Sequence, residues 1–356
     1  MSARAGRRRW AVLVTPVANR AYAGDAPRLL AVELATVLGE RARDVVVEDL
    51  AGTRFVTLTT PGPLDDASLQ AVAAASTAHA LFGRRTLDDG QDALVPVRLP
   101  AVDRYDDDLV TIPRYPGKTN EHLTRMMLGL ATSALDLPSG AHHRRVLLDP
   151  LAGRGTTLSL GLLAGLDVVG VEVDAADVDA YRALLTRWLR EKRLKHSVSA
   201  SRLRVGGRTL GTRLDATLSP SKEAARAGDV QTLALLGADA LDVGPVLGRA
   251  GVDLLVTDLP YGVAHGSVRG GALARSPREL LAAGLPVWVP SLRRGGAVAM
   301  SWNTHVLPRA ELERLLVANG LDVTDVGADG ALAHRVDQAV HRDVVVARRP
   351  RGSSAP

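Results

Sequence analysis

Apolar and polar positions divide the chain into two parts with different periodicities. In the first hundred residues, short β-rich runs alternate with stretches of helical period, and the predicted order is βαββαβ. The predicted elements are a strand at 10–15, a helix at 27–38, strands at 45–48 and 54–58, a helix at 69–81 and a strand at 94–99. This order predicts a small α+β N-terminal domain over residues 1–105, arranged as a split β-α-β sandwich.

The second part has the pattern of a parallel sheet. An acidic, irregular segment with three consecutive aspartates at 106–108 separates it from the first part. Beyond it, short apolar runs alternate with helical stretches, which is typical of an α/β domain covered on both faces; the runs are VLLD, VVGVEV, QTLALLG, DLLVTD and GAVAMSW. We expect this domain to cover residues 106–350, and we expect the tail 351–356 to be disordered.

The composition limits the classes of function. The 356 residues are 46% hydrophobic and 23% charged, with no apolar run near the roughly 18 to 20 residues of a membrane span. No secretory segment follows the N-terminal arginines, so a soluble, cytoplasmic protein with no membrane partner is expected. The lack of cysteine excludes disulfides, thiolate zinc sites and a cysteine nucleophile.

The basic residues are unusual in kind. The net charge is +5, and all but four of the 44 basic residues are arginine, whose planar fork suits phosphate. A GC-rich genome would also produce a chain rich in arginine, alanine and glycine. Composition alone therefore leaves a nucleic-acid partner open.

A glycine-containing loop follows the first strand of the second part. The strand ends at Asp149, and the chain passes through Gly153 and Gly155 into a predicted helix. Open α/β sheets bind ligands at this end of their strands. Glu172 ends the next strand 23 residues later, close to the spacing of about 20 at which an acid binds ribose hydroxyls. No Gly-Lys-Ser/Thr follows the loop, and Asp149 would repel a pyrophosphate, so a cofactor with a cationic centre and an amino-acid end is favoured.

Two further strands also end on acids. Asp239, followed by Ala240, ends the third strand, where it either accepts a hydrogen bond from an adenine amino group or caps the next helix. Asp258 closes the fourth strand. Each acid alone would be read as a cap or a turn former, but four acids on four successive strand ends indicate a functional site.

The fourth strand runs into the tetrapeptide DLPY at 258–261, and this motif resembles a known family. Class I S-adenosylmethionine-dependent methyltransferases that act on exocyclic or amide nitrogens carry Asp/Asn/Ser-Pro-Pro-aromatic at the end of strand four. The region 110–350 is most similar to the THUMP-associated tRNA guanine-N2 methyltransferases, whose cofactor loop resembles DPLAGRGTT, with Leu151 for Phe and Arg154 for Ser. The resemblance implies a Rossmann-like domain with a mostly parallel seven-stranded sheet. It also implies that the N-terminal domain is ferredoxin-like or THUMP-like and binds RNA.

The resemblance names S-adenosyl-L-methionine as the cofactor. The segment at 115–128 resembles one that helps to hold the methionine end, where Lys118 either pairs with the cofactor carboxylate or faces solvent. The residues predicted to bind the cofactor are Lys118, Asp149, Leu151, Gly153, Gly155, Glu172, Asp239 and Ala240. The nine histidines show no ligand spacing such as H-E-x-x-H, so no metal is expected.

The tetrapeptide suits chemistry on an amine. An exocyclic amine is a poor nucleophile because its lone pair is delocalised into the ring. The Asp258 carboxylate and the Leu259 carbonyl could accept its two N–H groups and aim the lone pair at the methyl donor. Pro260 would stiffen the turn and Tyr261 would stack on the extruded base, a contact worth about 1 to 3 kcal/mol. An ordinary Pro-Tyr-Gly turn is the alternative.

Two residues beyond the fifth apolar run complete the predicted cleft. Trp302 and Asn303 would face the same space as the tetrapeptide. A tryptophan at this place is equally expected as a wall of the core.

A basic insertion at 191–228 bears on the substrate. From residue 191 to 213 the insertion contains a single acid, Glu191. Its basic residues in this stretch are Lys192, Arg193, Lys195, Arg202, Arg204, Arg208 and Arg213. The insertion is either a phosphate-tracking arm or hairpin beside the cleft, or a solvated mobile segment.

The expected activity is N-methylation of a nucleobase, with guanine N2 in tRNA as the first choice. A DNA adenine-N6 or cytosine-N4 methyltransferase is an alternative, although the 95 residues after the tetrapeptide leave no obvious target-recognition domain. A methyltransferase for protein glutamine or a small amine would not need the basic insertion.

Overall fold

The computed structural model describes residues 7–17, 19–115, 118–137, 143–260, 276–328 and 330–352. The chain divides into two compact units. The small unit contains residues 1–102 and 325–343, and the large unit contains residues 103–324 and 344–356. Sequence analysis placed 325–343 in the second domain, whereas the fold joins this segment to the first.

The small unit is built on a five-stranded antiparallel sheet in the order β2-β3-β1-β4-β5. Its strands are β1 (Arg8–Val14), β2 (Arg43–Leu50), β3 (Thr53–Thr60), β4 (Ala78–Thr86) and β5 (Asp92–Val97). Its helices are α1 (Arg20–Ala23), α2 (Ala26–Leu38) and α3 (Asp66–Ala74). Apolar side chains of α2, α3 and the sheet form one core, which includes Leu30, Leu34, Val56, Val72 and Leu81.

One predicted helix of the small unit is wrong at its end. The expected helix at 69–81 stops at Ala74, because Ala75 is already extended with ψ of 141°. The following residues form β4, which pairs with both β1 and β5 and places Leu81 in the core. Alanine and leucine favour helix locally, but sheet pairing and burial override that propensity.

Side-chain contacts between residues far apart in the sequence explain why residues 325–343 belong to the small unit. The Arg28 guanidinium donates to the carbonyls of Ala331 and Ala333. The rings of Tyr22 and His334 meet edge to face, with centroids 5.5 Å apart. Such contacts join positions about 300 residues apart, and no local pattern in the sequence indicates them.

The large unit is organised around the second sheet, which among the described residues has ten strands in place of the expected seven, counting one two-residue strand from the segment 325–343. Its strands are β6 (Val146–Asp149), β7 (Asp167–Glu172), β8 (Lys195–Val205), β9 (Arg208–Ser219), β10 (Gln231–Gly237), β11 (Val252–Asp258), β12 (Leu292–Asn303), β13 (Asp322–Thr324), β14 (His334–Arg335) and β15 (His341–Arg348). Its helices are α4 (Asp108–Thr111), α5 (Glu121–Ser133), α6 (Thr156–Leu163), α7 (Ala175–Glu191), α8 (Lys222–Arg226), α9 (Gly244–Leu247), α10 (Pro277–Trp288) and α11 (Arg309–Ala318).

The large sheet is mixed. Its order is β13-β15-β12-β11-β6-β7-β10-β9-β8, with β14 paired to β15. The central strands β12, β11, β6, β7 and β10 run parallel, as the α/β pattern predicts. The basic insertion forms the antiparallel hairpin β8–β9, which joins the sheet through β9 and β10. This hairpin and the small β14 account for the strands beyond seven.

The core of the large unit surrounds the parallel strands. Leu148, Leu236, Leu255 and Val298 pack there with the buried rings of the tryptophans on α10 and β12. Trp302 is fully buried and donates from Nε1 to the Leu307 carbonyl at 2.8 Å. It is therefore a wall of the core and does not face a cleft. Asn303 is buried as well, and its Oδ1 accepts the His305 amide.

Parallel direction brings the ends of four strands to one side of the sheet, which we call the carboxyl edge. It contains Asp149, Glu172, Gly237 and Asp258, the last residues of β6, β7, β10 and β11. The registers pair Glu172 with Gly237 and Asp258 with Ser301 of β12. Acids far apart in the sequence thus lie along one edge.

Candidate functional site

A cavity of about 330 Å³ opens at the carboxyl edge. Of the residues predicted to act there, it is lined by Asp149, Leu151, Gly153 and Asp258. The other lining residues are Tyr115, Thr119, Ala152, Arg154, Thr156, Thr157 and Asp177. The glycine-containing loop and the end of the fourth strand therefore meet around one space.

Asp149 is a buried acid at the base of the cavity. It is 2% exposed, and its Oδ1 accepts the Leu151 amide at 3.0 Å and the Thr257 hydroxyl at 2.8 Å. Burial raises the pKa of Asp149 to about 6, and the neighbouring Asp258 adds to the rise. Because desolvation penalises the charged carboxylate, a cation beside Asp149 would be strongly favoured.

Asp258 is held by two hydroxyl groups. Ser301 Oγ donates to Oδ1, and Thr119 Oγ1 donates to Oδ2 at 3.1 Å. Ser301 is fully buried on β12, so its hydroxyl is fixed by the neighbouring strand. Hydrogen bonds to both oxygens fix the plane of the carboxylate and leave each oxygen with further acceptor capacity.

Of the next two residues of the tetrapeptide, Leu259 is buried in the core and Pro260 is exposed. The Leu259 side chain is 1% exposed within the core, and its amide donates to the Ser301 carbonyl at 2.9 Å. Pro260 is exposed. Tyr261, the predicted stacking residue, lies outside the described residues.

The two glycines of the loop serve different purposes. A Cβ on Gly155 would lie 2.4 Å from the Tyr181 ring, and its φ of 76° is left-handed, so packing and backbone both require glycine there. Gly153 also has a left-handed φ, but a Cβ there would meet open space. Its amide donates to Glu172 Oε2 at 2.8 Å. Thus Gly153 borders the cavity, whereas Gly155 fits the loop against α7.

Glu172 accepts one backbone amide at each of its two carboxylate oxygens. Besides Gly153, it accepts the Asp174 amide at 2.7 Å. Burial raises the pKa of Glu172, and the bonds from the two amides oppose this rise. The residue lies beside the glycine-containing loop, where its predicted partner, a ribose, would have to approach.

Arg154 brings a positive charge to the cavity wall. It donates to Asp177 at 2.8 Å, and its guanidinium lies 4.8 Å from the centre of the Tyr115 ring. The Tyr115 hydroxyl in turn lies 3.2 Å from Thr156 Oγ1. Among the described residues that line the cavity, Arg154 is the only cation.

Lys118, by contrast, is engaged elsewhere. Its ammonium donates to the Val110 carbonyl at 2.6 Å and lies 3.3 Å from Glu121. It does not line the cavity among the described residues. These partners disfavour its predicted contact with a cofactor carboxylate, and Arg154 is better placed for that role.

Asp239 and Ala240 lie at the carboxyl edge but outside the cavity lining among the described residues. Asp239 Oδ1 accepts the Leu241 amide at 2.9 Å, which is the turn-forming role considered from the sequence. The Ala240 carbonyl accepts the Trp288 indole at 2.9 Å. Their roles towards an adenine stay predictions.

The two hydroxyl residues that position Asp258 were not predicted from the sequence. Thr119 falls in the segment that resembles the family motif, and Ser301 falls within the run GAVAMSW. Neither carries a recognisable spacing, because their partner Asp258 is on another strand or segment. The parallel register of β11 and β12 was the one signal that could have indicated Ser301.

The cavity's charges fit the expected cofactor. S-adenosylmethionine carries a sulfonium, an ammonium and a carboxylate. The lining offers three carboxylates, Asp149, Asp177 and Asp258, and one guanidinium, Arg154. The open space beside Gly153 admits a ligand close to the backbone. Within the described residues, no group of three or more histidine, cysteine or acidic side chains could hold a metal ion.

The β8–β9 hairpin divides the predicted basic residues between two places. Arg202 lies opposite Thr212, which lies opposite Gly237 at the end of β10. Residues 203–211 therefore extend beyond β10 on the side of the carboxyl edge. The exposed arginines of this tip are Arg202, Arg204 and Arg208, whereas Lys192, Arg193 and Lys195 lie at the opposite end of the hairpin.

Two predicted phosphate ligands have acidic partners. The Lys192 ammonium lies 2.7 Å from Asp106 and 2.6 Å from Asp108. Arg213 Nε is 2.9 Å from Asp215, an acid just beyond the stretch considered from the sequence. These pairs partly neutralise both residues, so the tip is the stronger candidate for binding phosphate.

Comparisons with known proteins place the chain among distant structural neighbours. No family model and no curated protein matches the sequence. Similar solved structures include the rRNA methyltransferase aviRa from Streptomyces viridochromogenes, at 20% identity and a TM-score of 0.40, covering 70% of this chain and 95% of that one. A ribosomal protein L11 methylase from Lactobacillus delbrueckii subsp. bulgaricus is 16% identical with a TM-score of 0.35, covering 66% and 83% of the two chains.

A third similar structure contains a bound product of the cofactor. It is the 1,6-didemethyltoxoflavin-N1-methyltransferase of Burkholderia thailandensis with S-adenosylhomocysteine, at 17% identity and a TM-score of 0.34, covering 59% of this chain and 72% of that one.

The helices were also compared with the length and polarity that a membrane span requires. Across the described ranges, the helices are too short or too polar to cross a bilayer.

Proposed function

We propose that this protein is an S-adenosylmethionine-dependent methyltransferase that acts on an exocyclic amino group of a nucleobase. The observation that carries the proposal is the pairing of two acids in one cavity. Asp149 is desolvated beside the glycine-containing loop, and Asp258 is oriented by two hydroxyls. The first suits a cationic cofactor, and the second suits a substrate with N–H groups.

The cofactor supplies a methyl group from its sulfonium centre. Glu172 and the Gly153 backbone would hold its ribose side, and Asp149 would lie near its cationic end. Arg154 would take the carboxylate, exchanging part of its contact with Asp177. A charge-assisted bond to a guanidinium is the strong kind of carboxylate contact.

Asp258 and the Leu259 carbonyl would bind the two N–H groups of the target amine. This favours a more tetrahedral nitrogen with its lone pair directed at the methyl group, so orientation replaces random approach. Ser301 and Thr119 keep the Asp258 carboxylate in one plane throughout. The nitrogen loses a proton as its new bond forms, and the Asp258 carboxylate is the acceptor placed to receive it.

The choice of RNA rests on the hairpin tip and on the sequence resemblance. Two exposed arginines of the tip, Arg204 and Arg208, extend past β10 on the cofactor side of the sheet, and the exposed Arg202 lies level with its end. A small-molecule substrate would leave this charge without a purpose. Guanine N2 in tRNA is the target that the sequence resemblance favours.

Methyl transfer to defined substrates tests the proposal. The protein is incubated with radiolabelled S-adenosylmethionine and either unmodified tRNA transcripts or duplex DNA, and labelled nucleosides are identified by mass spectrometry. We expect label in N2-methylguanosine from tRNA. Label in N6-methyladenosine or N4-methylcytidine would show that the target base is adenine or cytosine instead of guanine. Label in DNA alone would show that the substrate is DNA instead of tRNA. No label in any nucleic acid would contradict the proposal.

A further inference from the structure

A groove of about 730 Å³ lies between the outer side of α7 and the edge strand β8. On one side it is lined by α7, which contributes three arginines, Arg182, Arg187 and Arg190, and one acid, Glu191. On the other side it is lined by residues 196–200 of β8. This strand ends the sheet order, so backbone N–H and C=O groups along its outer edge have no strand partner among the described residues.

The arginines of the groove can exchange their carboxylate partners for phosphate groups. Arg182 lies 3.7 Å from Asp179 and Arg187 lies 3.4 Å from Glu191, and all four side chains are at least half exposed. Exposed pairs of this kind contribute little to stability. A phosphate group can replace either carboxylate at small cost. Arg190 is exposed and makes no ion pair within the described part of the chain.

The helix and the strand that line the groove both extend beyond it to the carboxyl edge. α7 begins just after Glu172 at the carboxyl edge and runs back to the opposite edge, and β8 then returns in the direction of β7 and β10. Arg202 and Arg204 therefore lie on the same strand as the groove, further along towards the carboxyl edge, and Arg208 lies beside them at the start of β9. From His196 to Arg204 the strand rises about 26 Å, at about 3.3 Å per residue. That length matches about eight stacked nucleotides at 3.4 Å each.

We propose that the α7–β8 groove binds the phosphodiester backbone of the RNA substrate and leads it from the tip arginines away from the cavity. This inference rests on the proposed function and adds α7 to the contact surface. Charge favours a polyanion as the occupant, because arginines are present on the α7 side and at the tip, and the stretch from residue 192 to 214 contains no acid. An arginine-lined groove of this length fits a linear polyanion.

Salt-dependent binding to two probes, bulk tRNA and a poly(U) 20-mer, tests the groove. In the groove variant, Arg182, Arg187 and Arg190 are replaced by alanine. In a control variant of equal net charge, Arg249, Arg294 and Arg314 are replaced, which are exposed arginines outside the hairpin and α7. If each groove arginine meets one phosphate, the slope of log affinity against log salt on poly(U) flattens by about 2 for the groove variant. The slope of the control variant should match that of the parent protein.

Binding of S-adenosylhomocysteine to the same variants separates the two proposals. We expect all variants to bind it equally, since the cavity is built from other residues. Equal salt slopes for the groove and control variants would overturn the groove proposal. If the parent binds neither RNA probe but binds S-adenosylhomocysteine, the groove and the RNA substrate fail while the methyltransferase assignment stands. Loss of S-adenosylhomocysteine binding in the parent contradicts the proposed function itself.

Discussion

The cavity at the carboxyl edge and the β8–β9 hairpin use charged residues in opposite ways. In the cavity, Asp149 is 2% exposed and Asp258 is held by hydroxyls from two other segments. At the hairpin tip, Arg204 and Arg208 are exposed on the strands beside a two-residue turn. Chemistry requires fixed positions, whereas attraction of a polyanion requires only charge nearby. Cavity substitutions should therefore have large effects that salt does not change, and hairpin substitutions should have graded effects that salt weakens.

The largest effect is expected for Asp258→Ala. This change removes the acceptor for the amine, so single-turnover methyl transfer should fall by about a thousandfold, comparable to loss of one strong transition-state contact. Affinity for S-adenosylhomocysteine should stay within about twofold, because the proposed contact is to the substrate. Asp322→Asn, at the exposed first residue of β13, is the control. A near-normal rate in Asp258→Ala would show that the carboxylate has no part in the reaction.

Asp149→Asn should stabilise the ligand-free protein in a pH-dependent way. Burial raises the pKa of Asp149 from 3.8 to about 6, so the folded state holds a proton that the unfolded state has lost between these values. Stability therefore falls as pH rises through this window, by at most about 3 kcal/mol. Asparagine removes this loss. Urea unfolding should show a gain at pH 7.5 and almost none at pH 4, and an equal gain at both would contradict the burial argument.

Glu172→Ala should weaken the cofactor rather than the chemistry. Loss of bonds to ribose and of support for the Gly153 amide should lower affinity about ten- to hundredfold, the range for hydrogen bonds to a charged group. At saturating cofactor, the single-turnover rate should be close to normal. Calorimetry and rate measurements on one preparation separate the two effects, and unchanged affinity would remove Glu172 from the site.

The smallest cavity effect is expected for the hydroxyls that position Asp258. Ser301→Ala and Thr119→Val each remove one bond worth about 1 kcal/mol, so the methyl-transfer rate should fall about five- to tenfold. The KM for the cofactor should not change. If the two hydroxyls had only a structural role, their removal would lower thermal stability without lowering the methyl-transfer rate at an unchanged KM. Ser301→Thr keeps the hydroxyl and should recover part of the rate if the added methyl group fits.

Much of the large unit's fold could be predicted because its signals are local. The runs VLLD and QTLALLG correspond in full to β6 and β10, and three of the four predicted acids end their strands; the exception is Asp239, because β10 ends two residues earlier at Gly237. The errors lie where distant contacts decide. β4 depends on pairing with β1 and β5, and the association of 325–343 with the small unit depends on Arg28 and Tyr22.

The candidate site shows the same division. Asp149, Gly153 and Asp258 stand in motifs and line the cavity together. Lys118 also stands in a motif-like segment, but Glu121 and the Val110 carbonyl engage it. Pairing of a flexible side chain depends on what folding brings near it. The sequence therefore indicates strand-end residues better than it indicates the partners of long basic side chains.

Binding of S-adenosylhomocysteine to the metal-stripped protein tests the central claim most directly. Calorimetry with a chelator present should show saturable binding at one site per chain, weakened in Glu172→Ala and unchanged in Asp322→Asn. Binding should strengthen as pH rises through about 6, because the cationic ammonium favours ionised Asp149. No binding by the parent, binding that disappears with the chelator, or equal binding by Glu172→Ala would contradict the assignment of this cavity to the cofactor.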